Sequence, residues 1–147
     1  MYAAMLGATA GHDLNFGSLR VCISAGAAMP VEVLRRFEDK SDCTVLEGYG
    51  LPETSGACFN HPGAVRKVGS LGTPIDGVQM RVVDEHATEV PAGTPGEIQV
   101  RGHNVMKGYW NLPEATADAF VDGWFSTGNL GRVDEDGYFF IVAGNNI

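Results

Sequence analysis

Residues 19–32, LRVCISAGAAMPVE, decide the first part of the fold. Leu19 to Ser24 is a short run rich in β-formers, and Ala25-Gly26-Ala27-Ala28 is a turn of small residues. Met29-Pro30-Val31-Glu32 then opens a segment whose apolar residues Val31, Leu34 and Phe37 recur at near-helical spacing. Pro30 suits a first helical turn, where its missing N–H costs nothing, and Glu32 suits the positive end of the helix dipole. The pattern predicts strand, glycine turn and a helix ending near Asp39-Lys40-Ser41. Thr44 to Leu46 supplies a second strand, and two strands separated by a helix imply a parallel crossover from an α/β layer. Upstream, Met1 to Ala10 reads as the end of an amphipathic helix.

Downstream, from Gly69, the character changes. Val78 to Val83, Gly96 to Arg101, Leu130 to Val133 and Tyr138 to Val142 are short strand-like runs. Turn signals divide them, among them Asp76-Gly77, Pro91-Ala92-Gly93 and Asp136-Gly137. One helix interrupts them, with Pro113 in its first turn and Ala115 to Phe120 as its body. The expected fold class is α/β plus β: a partial α/β layer (strand, helix, strand) over residues 1–68, then a small antiparallel barrel-like sheet over residues 69–147. The aromatic residues Tyr109, Trp110 and Trp124 are expected in the core of that barrel.

Length and charge bound the function. A chain of 147 residues with 44% apolar composition supports one modest core. Its 18 acids against 10 bases give a net charge of −8, which repels phosphate backbones and anionic lipid surfaces. Nucleic-acid and membrane-surface roles are therefore disfavoured, and an anionic ligand would be held by local geometry. Cys22, Cys43 and Cys58 have neither a CxxC pair nor a nearby histidine at metal-ligand spacing, which argues against a disulfide framework and against zinc. The start MYAAMLGATAGHD has no basic segment before its short apolar stretch, so neither a signal peptide nor a membrane span is expected, and the location expected is cytoplasmic. His12, His61, His86 and His103 are scattered, and none is assigned a catalytic role.

Two stretches carry candidate chemistry. Ser24-Ala25-Gly26-Ala27-Ala28 puts small side chains at a strand's C-terminal end, where backbone N–H groups can approach a flat or anionic ligand. The same residues also suit a βα turn that is small only for packing. The second stretch, Gly48-Tyr49-Gly50-Leu51-Pro52-Glu53-Thr54, offers an aromatic face for stacking, a carboxylate for a hard cation and a hydroxyl for phosphate. An ordinary Gly/Pro loop with Tyr49 half buried and Glu53 solvated is an equal reading of the residues alone.

GYGLPETSG at residues 48–56 resembles the signature GYGxTE of the acyl-CoA synthetase and adenylate-forming enzyme family. Four further stretches resemble family motifs in the family's order: SAGAAMP, VGSLGTPIDGVQMRVVD, GEIQVRGHNVMKGYW and DGWFSTGNLGRVDEDGYFFIV. The resemblance implies that Gly26, Ala27 and Ala28 line the adenine and acyl side of a nucleotide site. It implies that Tyr49, beside Gly50, stacks on adenine, that Thr54 binds phosphate and that Glu53 holds Mg2+. Thr54 and Glu53 are thereby the catalytic candidates. Tyr138 and Ile141 are expected near the adenosine. Asn129, in Ser126-Thr127-Gly128-Asn129, occupies the place of a family aspartate that grips the ribose. The implied cofactors are ATP/AMP, Mg2+ and coenzyme A, and the implied substrate is a carboxylic acid, with bacterial fatty-acyl-CoA ligases the nearest likeness.

Several departures accompany the likeness. The family's phosphate loop with its lysine and its lysine-bearing C-terminal domain have no counterpart in the sequence. Ala143-Gly144-Asn145-Asn146 stands where the family has an Asp-Arg pair. The expectation is a fragment of an ATP-dependent fatty-acyl-CoA ligase, inactive alone, with an exposed apolar face prone to self-association. The alternatives are a nucleotide- or acyl-adenylate-binding module without turnover and a structural piece.

Overall fold

The computed structural model describes residues 1–8, 16–27 and 29–144. The chain begins with α1 (Tyr2–Ala8), β1 (Val21–Ser24), α2 (Val31–Ser41) and β2 (Thr44–Tyr49). β1 and β2 pair in parallel, from Val21 opposite Thr44 to Ser24 opposite Glu47, with α2 as the crossover. Leu34, Phe37 and Ser41 form the buried stripe of α2, three and four residues apart. α1 packs on that stripe through Tyr2, Met5 and Leu6. At the helix end Asp42 takes a left-handed conformation (φ 51°) and returns its N–H to Glu38 O, turning the chain directly into β2. The Glu38 carboxylate accepts from Val45 N at 2.7 Å and from Arg66 Nη1 and Nη2, so the helix terminus, the strand and the later loop share one anchor.

β2 is longer than the expected Thr44 to Leu46. Gly48 and Tyr49 continue it because β3 (Cys58–Phe59) pairs with them antiparallel. β4 (Thr73–Pro74) pairs with β3 and completes a sheet ordered β1-β2-β3-β4. That pairing carries the first sheet past the division expected at residue 68.

The second sheet is antiparallel throughout. β5 (Val78–Val83), β6 (Gly96–Gly102), β8 (Trp124–Val133) and β7 (Phe120–Val121) lie side by side in that order. β9 (Phe139–Gly144) pairs with β8, and α3 (Pro113–Asp118) precedes β7. Inward residues Val78, Val82, Ile98, Val100, Phe125 and Phe139 are buried. Register shifts near Gln99 and near Gly131 bend the sheet, as bulges do, so the barrel-like expectation is realised as a curled sheet. β8 starts at Trp124 rather than at Leu130, since Phe125 and Ser126 pair with Val100 and Gln99 of β6.

The aromatic residues correct the sequence expectation. Phe125 faces inward, so strand alternation turns Trp124 to the opposite face, where the Arg81 and Arg101 guanidiniums each sit 4.4 Å from its ring centre. Trp110 is 89% exposed, on the loop after Gly108, and Tyr109 is also at the surface.

The two sheets meet at residues 67–72. Leu71 N donates to Phe139 O at 2.8 Å and Phe139 N to Gly72 O at 3.0 Å. Gly72 has φ +89° and passes so close to Phe59 that a Cβ would lie 2.0 Å from its carbonyl carbon, so only glycine fits. Lys67 bonds both Asp134 and Asp136 at 2.6 Å on the β8–β9 turn. Among the described residues no helix is long and apolar enough to cross a membrane. The expected apolar exposure at β1 is present, with Val21 40% and Ile23 57% exposed.

Candidate functional site

Parallel strands leave a crevice outside their carboxyl ends, and ligands favour that position in α/β sheets. Ser24 and Glu47, the last paired rung of β1 and β2, open onto a cleft of about 350 Å³. One wall is the turn at Gly26 and Ala27, the floor is the end of β2 from Glu47 to Tyr49 with Gly50 beyond it, and the opposite wall comes from β8 and β9 through Asn129, Ile141 and Val142. Gly69 and Leu71 close the side where the two sheets meet.

Gly26 has φ +84°, and a Cβ built there meets nothing within 4 Å. Its lack of a side chain therefore serves the backbone conformation and an open cleft wall, and packing within the described chain does not require it.

The Tyr49 ring is half-buried, and it packs beside the Ala57, Ile98 and Val100 cluster while lining the cleft. Its hydroxyl accepts from Asn129 Nδ2 at 2.8 Å, across the seam between the sheets. Burial raises the Tyr49 pKa, with hydrogen bonds from Thr127 and Asn129 acting in the opposite direction. The bond to Tyr49 commits the Asn129 amide nitrogen, which leaves its carbonyl oxygen as the acceptor for a ligand hydroxyl.

Glu47 is a cleft residue that the sequence reading passed over. Its carboxylate accepts from Gly69 N at 2.9 Å, and burial pushes its pKa up while that bond and Arg66 pull it down. The missed signal is positional: β2 pairs with β1 as far as Glu47, which places this side chain at a carboxyl end of the parallel pair.

The structure brings together Gly26, Ala27, Tyr49, Gly50, Asn129 and Ile141. Ala28 lies outside the described residues. Tyr138 does not line the cleft: its ring lies under Lys67 Nζ at 4.7 Å and its hydroxyl donates to Val65 O. Tyr138 precedes β9 and sits in the turn that Lys67 clamps, which carries it away from the cleft.

Thr54 is also placed differently from expectation. It is fully buried, and its hydroxyl accepts from Leu51 N at 2.9 Å and donates to Leu51 O at 3.3 Å, closing its own loop. Alignment of Tyr49, Gly50 and Glu53 on GYGxTE puts Pro52, which has no donor, in the threonine's place. The sequence already held that signal in its residue count.

Glu53 sits on the rim of this loop. Its carboxylate accepts from Tyr109 Oη at 2.9 Å and its backbone oxygen accepts from Met106 N at 2.7 Å. That contact raises the Tyr109 pKa, with burial second. Asn104 Nδ2 donates to Thr54 O at 2.7 Å and to Gly56 O, and its own Oδ1 is buried with no partner among the described residues. Among the described residues no three His, Cys, Asp or Glu side chains gather as a metal cage. A cation at Glu53 would take one carboxylate from the protein and its other oxygens from water or phosphate, a mode that suits Mg2+.

Comparison with known proteins gives one consistent direction. The family described as AMP-binding enzyme matches residues 1–110. The chain is 42% identical over 133 residues to a long-chain-fatty-acid–CoA ligase of Bacillus subtilis (strain 168), covering 89% of this chain and 23% of that protein. It is 37% identical over 144 residues to a feruloyl-CoA synthase of an Amycolatopsis species, covering 97% of this chain and 29% of that one. Among solved structures, ATP-bound MatB from Rhodopseudomonas palustris superposes with a TM-score of 0.89 at 38% identity, covering 97% of this chain and 29% of that chain. The chain thus spans between 23% and 29% of the length of these relatives.

Proposed function

The chain belongs to the AMP-binding enzyme family, and from that premise we propose that it forms the adenosine-binding part of a carboxylate–CoA ligase working through an acyl-adenylate. The observation that carries this reading is the Tyr49–Asn129 hydrogen bond, which joins the two sheets into one cleft opposite the Gly26 turn. In this reading the Tyr49 ring stacks against adenine and the Asn129 oxygen accepts a ribose hydroxyl. Ile141 supplies an apolar edge beside the base. Gly26 and Ala27 leave backbone N–H groups free to approach a flat or anionic ligand.

Glu53 holds Mg2+ with Tyr109 orienting its carboxylate, and the cation supplies charge neutralisation at the phosphates. Pro52 has no donor and the Thr54 hydroxyl is enclosed, so within this loop the exposed Ser55 hydroxyl is the side-chain donor that can approach phosphate. Phosphate binding then rests on Ser55, on backbone groups, on the cation and on residues beyond this stretch. ATP and coenzyme A are the proposed co-substrates of the whole ligase. Fatty acids are the proposed acyl donors, supported by the Bacillus subtilis relative. An aromatic carboxylate is the competing substrate class, supported by the feruloyl-CoA synthase.

The chain alone is proposed to bind AMP without forming acyl-CoA, since neither lysine-bearing element named above occurs in it. Calorimetry with AMP at fixed salt tests the reading. Binding by the wild-type chain that weakens in Tyr49→Ala supports it, and equal heats in both remove the nucleotide site. Pyrophosphate exchange above a Glu53→Ala background would overturn the claim of no turnover.

A further inference from the structure

Two thiols lie side by side where the β1–β2 pair packs on α2, Cys22 on β1 and Cys43 just before β2. Cys22 stands opposite Val45 in the parallel register. Cys43, two residues before Val45 and so on the same side, lies diagonally beside it. The Cys43 thiol donates to Cys22 Sγ at 3.4 Å. Its backbone is fixed on both sides, by the left-handed Asp42 that ends α2 and by Val45 N bonded to Glu38. Cys43 is buried, while Cys22 is partly accessible. A disulfide needs sulfurs about 2.05 Å apart, so closing the pair requires side-chain rotation and a strand shift that together bring the sulfurs about 1.4 Å nearer.

We propose that Cys22 and Cys43 are a dithiol modification site, closed to an intramolecular disulfide by a low-molecular-weight disulfide. The Cys22 thiolate attacks one sulfur of that reagent, forming a mixed disulfide and expelling one thiolate. The Cys43 thiolate then attacks the Cys22 sulfur, forming the Cys22–Cys43 bond and expelling the second. The protein loses two protons and two electrons, and the reagent becomes two thiols. Burial, then the contact with Cys22, with Glu38 and Asp42 adding to it, pushes the Cys43 thiol up to about 11. Cys43 is therefore neutral at rest and acts second, once Cys22 carries the leaving group. Cys58 is buried, its thiol pushed up to about 12 by that burial, and it is left out of the exchange.

The bond closes a loop over residues 23–42, which holds α2 and the Ser24, Gly26 and Ala27 wall of the cleft. Restricting that loop in the unfolded chain raises the unfolding midpoint.

Oxidised glutathione is the probe, with intact mass and non-reducing peptide mapping as the readout. The wild-type chain is expected to lose two hydrogens, yield a linked Cys22–Cys43 peptide and melt several degrees higher. Cys43→Ser is expected to stop at one glutathione adduct on Cys22, and Cys22→Ser to stay unmodified. A wild-type chain that accumulates a stable adduct at Cys22, or in which both thiols remain open to alkylation, overturns the proposal without need of either variant.

Discussion

β1 and β6 are both short strands, yet one lies at the edge of its sheet and the other inside its own. Among the described residues β1 has one strand neighbour, β2, and leaves Val21 and Ile23 in solvent, whereas β6 lies between β5 and β8 and buries Ile98, Gln99 and Val100. β1 is held by its parallel pairing with β2 and by the α1–α2 layer packed on that pair, while β6 is paired along both edges. The cleft takes one wall from each. Its geometry thus depends on a firmly held wall carrying Asn129 and a more loosely held wall carrying Gly26.

The largest effect expected from this contrast is on folding. Phe37 is the buried hub of α2 and meets the Tyr2 and Phe16 rings edge-on. Phe37→Ala should cost about 3–5 kcal/mol of local stability. Hydrogen exchange should then speed at β1 and α2 while β6 amides keep their protection; equal loss in both sheets would break the distinction. The next effect is on binding. Tyr49→Ala removes a stacking face and should weaken AMP by about 1–3 kcal/mol in calorimetry.

Asn129→Asp sharpens the role of the firmer wall. A carboxylate there accepts from the Tyr49 hydroxyl and from a ribose hydroxyl together, so AMP should bind tighter by about 1 kcal/mol. Unchanged affinity alongside a weakened Tyr49→Ala would leave the nucleotide site in place and remove Asn129 from the ribose.

The smallest effect lies at the clamp between the sheets. The Lys67 ammonium, followed by backbone N–H bonds, holds the Asp134 carboxyl below its ordinary range. A depressed folded-state pKa gives stability that is present above the unfolded value and lost as pH falls through the folded one. Acid titration of the unfolding midpoint should show that loss below about pH 4, where model aspartates titrate. In Lys67→Ala the loss should be shallower, and an identical slope in both chains would show that the clamp adds nothing.

The parts of this fold that the sequence made readable are those where side-chain period and turn chemistry agree. β5 runs Val78 to Val83 as expected because alternation is clear and Asp76-Gly77 marks its start. The first six residues of β8 were hidden since Gly128 and Asn129 are poor strand formers, and only pairing with β6, β7 and β9 keeps them extended. Tyr49, Asn129 and Gly26 were legible through the family likeness. Glu47 was not, because a glutamate in a strand signals nothing until the parallel register puts it at the crevice. Trp110 misled in the other direction, since an aromatic side chain argues for burial only where the chain can turn it inward.

The register of β9 has a mechanical consequence. Gly144 pairs with Asn129 at the end of an antiparallel ladder that runs back to Phe139 opposite Val133. A load that draws the chain beyond Gly144 away from β8, across the ladder, peels these rungs singly, and the first to part is the one at Asn129. The residue proposed to hold the ribose is therefore the first to feel tension from the following segment, while the rungs toward Phe139 are shielded behind it.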